Sequence, residues 1–327
     1  MKKEGLRMEM KKYMDIERMK DGWTDIIAVG DKIWIEEKID GANCGIRYDK
    51  ENDKLVAQSR KRILEIGQDD LRGFGAFVER LNANSEWKDA IIKEIFGGSD
   101  NLVLFGEWLV PHTIKYLNDA YKKMYCYDMY NLETEEYLPQ FDVYHKVKNA
   151  VRKGVPLCGA PIFYIGPFVS WEHVNNFVGK TSEMLGASPC GEGIVIKNQS
   201  RLNDPNSRKP FYIKIVTEQF KEVQKSNRAK KEIDPNAAAQ LEADMALTKE
   251  IVTEARVRKM LNKFVDEAIL SEDWSIADMK IIAQNLSKRI IEDCIKEEKE
   301  TVEKIGSFSK TANKVCMGIA KSIAMSR

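Results

Sequence analysis

Ile35-Glu36-Glu37-Lys38-Ile39-Asp40-Gly41-Ala42-Asn43 ends an apolar, strand-like run on a lysine and then turns through an acid and a glycine. A lysine so placed is a candidate covalent nucleophile, its amine able to attack the α-phosphate of a nucleotide. The amine is protonated and inert until desolvation or neighbouring cations remove its proton. The plainer reading is a solvated lysine ahead of a turn. The nucleophile reading makes demands further along the chain. Such a site needs carboxylates for ribose and metal, an aromatic for the base, and more cations for phosphate.

The chain offers these in order. Ser59-Arg60-Lys61-Arg62 ends a strand; it is a basic hairpin edge or an arginine fork for phosphate or sugar oxygens. Leu104-Phe105-Gly106-Glu107-Trp108 puts a carboxylate after an apolar strand, as a plain strand end or as an acceptor for ribose hydroxyls. His112 reads as structural, because nothing pairs it with a nucleophile. In Tyr125-Cys126-Tyr127-Asp128 the aromatics are ordinarily core; the alternative is that Tyr127 stacks on a purine. Glu192 stands between Gly191 and Gly193, where a turn or a close ligand explains the glycines, and its carboxylate suits a magnesium ion or its waters. Lys197 follows five residues later, an odd offset that sends the two side chains to opposite faces of a regular strand. Both reach one pocket only across a bulge, or if one lies outside the strand. Lys214 interrupts an apolar strand; a phosphate partner explains it, and so does a water-facing edge.

With 327 residues the expectation is two domains. Hydrophobic content of 43% supports a core, and the net charge of +1 gives no global field for a polyanion, so nucleic acid would need a local basic face. Six scattered cysteines form no Cys-x-x-Cys pair, which argues against zinc and a disulfide scaffold and for a reducing compartment. The charged N-terminus lacks the apolar segment of a signal peptide, and no apolar run is long enough to span a bilayer. A cytoplasmic monomer without membrane contact is expected.

Residues 1–230 read as α+β. The pattern predicts strands at Lys32–Lys38, Cys44–Tyr48, Lys54–Arg60, Asn101–Trp108, Lys123–Tyr130, Ile162–Ile165, Gly191–Lys197 and Phe211–Val216. Helices are expected at Asp70–Asn82, Glu86–Phe96, Phe141–Lys153 and Trp171–Phe177. Helices set between antiparallel-looking strands favour α+β over a doubly wound sheet. Residues 235–327 read as a small all-helical domain, with helices near Ala238–Leu270, Ser275–Glu300 and Ser309–Ala324, and the boundary is expected in the polar stretch Lys225–Pro235.

Each motif is short, but the ordered series is specific. The chain resembles the covalent nucleotidyltransferase superfamily, and within it the ATP-dependent RNA ligases of the bacteriophage T4 RNA ligase 2 type. The likeness runs from Lys12-Tyr13-Met14-Asp15-Ile16-Glu17 through Lys38-Ile39-Asp40-Gly41, Phe105-Gly106-Glu107-Trp108, Tyr125-Cys126-Tyr127-Asp128 and Glu192 to Lys197. It ends at Ile213-Lys214 and Phe220-Lys221-Glu222. The resemblance implies a nucleotidyltransferase (adenylation) domain of antiparallel sheets with helices. It implies lysyl-AMP on Lys38, with ribose on Glu107, adenine on Tyr127, and nucleotide contacts from Glu37 and Arg60. Phosphate or metal chemistry falls on Asn43, metal-dependent chemistry on Glu192, and phosphate contacts on Lys197 and Lys214. ATP with Mg²⁺ or Mn²⁺ is the implied cofactor set, and RNA ends in a nicked duplex the implied partner. One position departs: Val216 stands where the family's second lysine of the last motif is expected. Its loss should slow lysine adenylylation unless Lys221, Lys225 or a metal ion substitutes. The rivals are a non-catalytic nucleotide- or RNA-end-binding protein on the same scaffold, and a DNA ligase or capping-type nucleotidyltransferase. The helical tail, in place of an OB-fold, argues against the latter pair. Arg256, Arg258, Lys259, Lys263, Lys288 and Arg289 in that tail are expected to face RNA, unless interleaved acids cancel their field.

Overall fold

The computed structural model describes residues 10–19, 26–64, 70–180, 182–184, 186–203, 210–217 and 237–326. Among these the chain forms two compact units, 1–217 and 218–327. The expected linker Lys225–Pro235 and the motif Phe220-Lys221-Glu222 lie outside the described residues.

In the first unit the strands are β1 (Glu17–Arg18), β2 (Lys32–Glu37), β3 (Ala42–Asp49), β4 (Lys54–Ser59), β5 (Leu102–Trp108), β6 (Met124–Asn131), β7 (Glu136–Tyr137), β8 (Leu157–Gly159), β9 (Ile162–Pro167), β10 (Gly193–Asn198) and β11 (Tyr212–Val216). The helices are α1 (Phe74–Ala83), α2 (Ser85–Ala90), α3 (Gln140–Arg152) and α4 (Trp171–Asn175). Each of the eight expected strands is present. The expected helix Glu86–Phe96 is instead α2 followed by a π-helical turn over Ile91–Phe96. The short strands β1, β7 and β8 carry too few residues for a period to be legible.

The strands make two sheets, ordered β1-β11-β10-β2-β9 and β4-β3-β5-β6-β7, with β8 added on β6. Pairing is antiparallel except for β1 on β11 and β8 on β6. The fold class is therefore α+β. One face of the first sheet buries Ile33, Ile35, Ile194, Ile196 and Ile213 against Phe168 and Val174. One face of the second buries Ile46, Leu104 and Met129 against α1 and α3 residues such as Phe77, Leu81 and Val147. Alternation leaves Trp34, Glu36, Val195, Lys197, Tyr212 and Lys214 on the opposite side of the first sheet.

A buried polar network joins the sheets there. Lys197 is 1% exposed, and its ammonium reaches Glu36 Oε2 at 2.7 Å and Asp128 Oδ1 at 3.2 Å. It also reaches the Tyr127 carbonyl at 2.7 Å and Gln140 Oε1 at 3.1 Å. Fully buried Asp128 also accepts from Tyr13 and Tyr212 hydroxyls and from Gln140 Nε2. Trp34 Nε1 donates to Glu36 Oε1 at 2.8 Å. Burial is the largest influence on Glu36 and pushes its carboxyl up to about 7, against the pull of Lys197.

The second unit is helical, as expected. It contains α5 (Ala237–Ile251), α6 (Glu254–Asp266), α7 (Met279–Glu297), α8 (Lys299–Val302) and α9 (Phe308–Met325). The long helix expected over Ala238–Leu270 breaks at Val252, because Thr253 caps a new helix by accepting from Arg256 N. Ser275 forms a capping box with Asp278. The core includes Leu261, Phe264, Ile282, Leu286, Ile290 and Ala312. Among the described residues no helix is long and apolar enough to cross a membrane.

Removing one partner of a buried charge network leaves the others uncompensated, at about 3–5 kcal/mol. Lys197→Met should lower the stability of the first unit by that amount in urea titrations followed by tryptophan emission. A midpoint unchanged from wild type would show that the network does not hold the sheets.

Candidate active site

Lys38 follows β2 and its backbone N–H donates to Gly193 O at 2.9 Å, so the lysine is fixed against the start of β10. Its ammonium lies 2.6 Å from Glu192 Oε2, a residue 154 positions later. Because β10 begins at Gly193, Glu192 lies just outside the strand, which resolves the odd offset from Lys197. Gly193 is obligatory here, since a Cβ would stand 2.1 Å from Ile215 O. Gly41 is equally constrained: a Cβ would meet Trp108 O at 2.7 Å and Glu107 Cγ at 2.9 Å.

Across the pocket, Asn43 on β3 pairs with Glu107 on β5, so both project from one face. Asn43 Nδ2 donates to the Tyr127 hydroxyl. Tyr127 has no residue opposite it on β5: Phe105 faces Asp128 and Gly106 faces Cys126. A β-bulge of this kind re-aims a side chain. The Lys197 ammonium grips the bulge's own carbonyl. Tyr127 is half-buried, with Tyr13 packed against it at 5.2 Å between ring centroids.

Burial is the largest influence on Glu107 and pushes its carboxyl up to about 8; Lys38 and His112 pull it down, while Glu192 and Asp40 raise it further. A neutral carboxyl both donates and accepts, which suits a pair of vicinal hydroxyls. Asp40 goes the other way. Burial raises it, but His112, the Ile114 backbone N–H and Lys38 outweigh that and hold it at about 2. Its carboxylate accepts from Thr113 and Ile114 N–H at 2.7 and 2.8 Å, so the acid of the Lys38 motif anchors the 112–114 loop. His112 Nδ1 lies 3.5 Å from Asp40 Oδ1.

Other expected site residues stand differently. Lys197 does not reach the pocket as a phosphate ligand: an ammonium has three donors, and four buried acceptors surround this one. Glu37 shares the Ile35 face of β2. Its buried carboxylate lies against Gly191, 3.5 Å from the position of a Cβ there, and burial raises its pKa. Arg60 is paired with Asp15 of the N-terminal segment. Lys214 is half-buried on the same face of β11 as Tyr212 and Val216, and Val216, opposite Gly193, is 7% exposed. In the helical unit Arg256 cannot face RNA: it is 1% exposed and bonded to Asp293 and the Ile251 carbonyl. Arg258, Lys288 and Arg289 pair with Glu254, Glu292 and Glu267.

Sequence reasoning missed Asp15, Glu36, Asp40, Asp128 and Gln140. One signal was present: Asp128 and Lys197 are opposite charges in two apolar strands, each needing the other. Among the described residues no group of three or more His, Cys, Asp or Glu converges as a metal cage. Glu192 nevertheless fits a magnesium-like ion, which keeps waters and takes one or two carboxylates beside substrate phosphates.

Residues 31–216, more than half of the chain, match the family model described as RNA ligase; the chain belongs to the RNA ligase family. Solved structures of a Naegleria gruberi RNA ligase are similar. A variant with ATP and Mn is 18% identical with a TM-score of 0.45, covering 64% of this chain and 57% of that one. A variant with AMP and Mn is 17% identical with a TM-score of 0.47, over 64% and 57%. This chain thus spans less than two thirds of their length. No curated protein matches it.

The unfolded Glu107 carboxyl titrates near 4.5 and the folded one near 8. Between these values the folded state keeps a proton that the unfolded state has released, so stability falls as pH rises. Glu107→Gln fixes the protonated form. Its melting temperature should match wild type at about pH 4, below the unfolded value, and exceed it at about pH 9. A difference independent of pH would show that Glu107 titrates normally.

Proposed function

We propose that the chain is an ATP-dependent RNA ligase of the T4 RNA ligase 2 type, a monomer sealing RNA 3′-hydroxyl and 5′-phosphate ends in a nicked duplex through lysyl-AMP on Lys38. The observation that carries this is the meeting of Lys38 with Glu192 at 2.6 Å, in a pocket shared with Glu107, Asn43 and Tyr127. The match to the family model supports it. ATP and Mn²⁺ or Mg²⁺ as cofactors agree with the ATP, AMP and Mn named for the Naegleria structures.

In the first step the Lys38 amine attacks the α-phosphorus of ATP, a P–N bond forms and pyrophosphate leaves. AMP then passes to an RNA 5′-phosphate, and an RNA 3′-hydroxyl displaces AMP as the phosphodiester forms. Each step is a displacement at phosphorus, where positioning and charge stabilisation do most of the catalysis. Lys38 is positioned by its bond to Gly193 O and its contact with Glu192. Tyr127 offers a ring for the base and Glu107 a carboxyl for the ribose. Lys214 and Arg60 supply positive charge, Arg60 after leaving Asp15. A divalent ion held by Glu192 would neutralise phosphate charge and favour the free amine.

With ATP labelled at the α-phosphate, wild type should carry an acid-labile covalent label and Lys38→Ala none. Label retained in the variant would sink the assignment.

Val216 tests the departure from the family. The α-phosphorus site gains negative charge during attack, and one preorganised donor there is worth about 10²–10³ in rate. Val216 shares its face with Lys214, so Val216→Lys should speed single-turnover adenylylation about tenfold or more, and Val216→Met should not. An unchanged rate in a folded Val216→Lys protein would show that another group already supplies the charge.

A further inference from the structure

A cavity of about 480 Å³ opens between α3 and the strands β2, β6, β8 and β9, and Tyr127 lines it but Lys38, Asn43, Glu107 and Glu192 do not. Its walls are apolar: Val143 and Val147 from α3, Leu157 from β8, and Ala160 and Ile162 at the entry to β9. Its deep end is polar. Glu36 and Gln140 line it, both at least nine-tenths buried, with Trp34 beside them. Its mouth is basic, since Lys148 and Arg152 line it from exposed positions one helical turn apart on α3.

These features specify a ligand chemistry. An apolar cavity of this size accepts a heteroaromatic ring. Glu36 Oε1 and Oε2 each hold one protein donor, Trp34 Nε1 and Lys197 Nζ. Each oxygen keeps a second lone pair for ring or exocyclic N–H groups. Two neighbouring cations at the mouth suit a phosphate. An aliphatic ligand leaves both polar ends unexplained, and a free base leaves the cations unexplained. We propose that this cavity is a second nucleotide subsite: it takes a nucleoside 5′-phosphate, base inward toward Glu36 and phosphate on Lys148 and Arg152. The nucleotide is either a free mononucleotide or the 5′-terminal unit of an RNA strand. The proposal does not require Lys38 to be a nucleophile.

The test uses the full chain and three probes: AMP, a 5′-phosphorylated RNA hexamer, and the same hexamer with a 5′-hydroxyl. Binding is measured by calorimetry for wild type, for Val147→Trp, which fills the cavity, and for the double variant Lys148→Ala/Arg152→Ala, whose positions are exposed. Melting curves establish folding; should Val147→Trp not fold, the double variant decides alone. Both variants should weaken one class of binding by about tenfold or more, one charge-assisted hydrogen bond's worth. An effect on AMP identifies the free nucleotide as the ligand. An effect confined to the phosphorylated hexamer identifies the strand end. Equal affinities in folded variants and wild type for AMP and the phosphorylated hexamer overturn the proposal, as does an equal loss for the hydroxyl hexamer. Covalent labelling of Lys38, measured on the same proteins, should persist in both variants. Its absence from wild type would refute the ligase reading while leaving the calorimetric result to judge the cavity.

Discussion

An ammonium removed from water holds the two sheets of the first unit together. Lys197 comes from one sheet, Asp128 and the Tyr127 carbonyl from the other, and Gln140 from the first turn of α3. Two carboxylates around one buried cation are tolerable because Glu36 is raised to about 7 and shares its burden with Trp34. Such a network is a poor source of stability compared with an apolar core. It fixes the β6 bulge, and the bulge turns the Tyr127 ring toward Asn43 and the lysine pocket. Alternation sets Lys197 on the same face of its sheet as Val195 and Tyr212, and there its ammonium bonds to Tyr127 O and Asp128 on β6.

The pocket beside this network is built by opposing influences on three acids. Asp40 is held ionised and spent on the 112–114 loop, whereas Glu107 is driven toward neutrality by burial. Glu192 stays outside its strand, against Lys38. Residues of one charge type thereby acquire three tasks from environment alone. Close backbone approach at Gly41 and Gly193 is what allows Lys38, Glu107 and Glu192 to crowd together.

The helical unit shows how a charge count misleads. Its arginines and lysines suggested a basic face, yet Arg256 fills the core with Asp293, and several others are matched to glutamates. A one-dimensional list cannot separate an i,i+4 pair from an open cationic patch. The same limit hid Thr253, whose capping hydroxyl divides one apparent helix into two.

By itself the sequence determined the eight main strands, the α+β class and the order of the chemical residues. Alternation and turn residues act locally, and local signals survive in one dimension. It also set Lys38, Glu107, Tyr127 and Glu192 in an ordered series that resembles the RNA ligases, and residues 31–216 match that family's model. Tertiary structure alone decided what each group touches. Arg60 meets Asp15, Glu37 lies against Gly191, and Val216 packs opposite Gly193. Burial and partner charges set the ionisation of Glu36, Asp40 and Glu107, and both depend on strands brought together from distant parts of the chain.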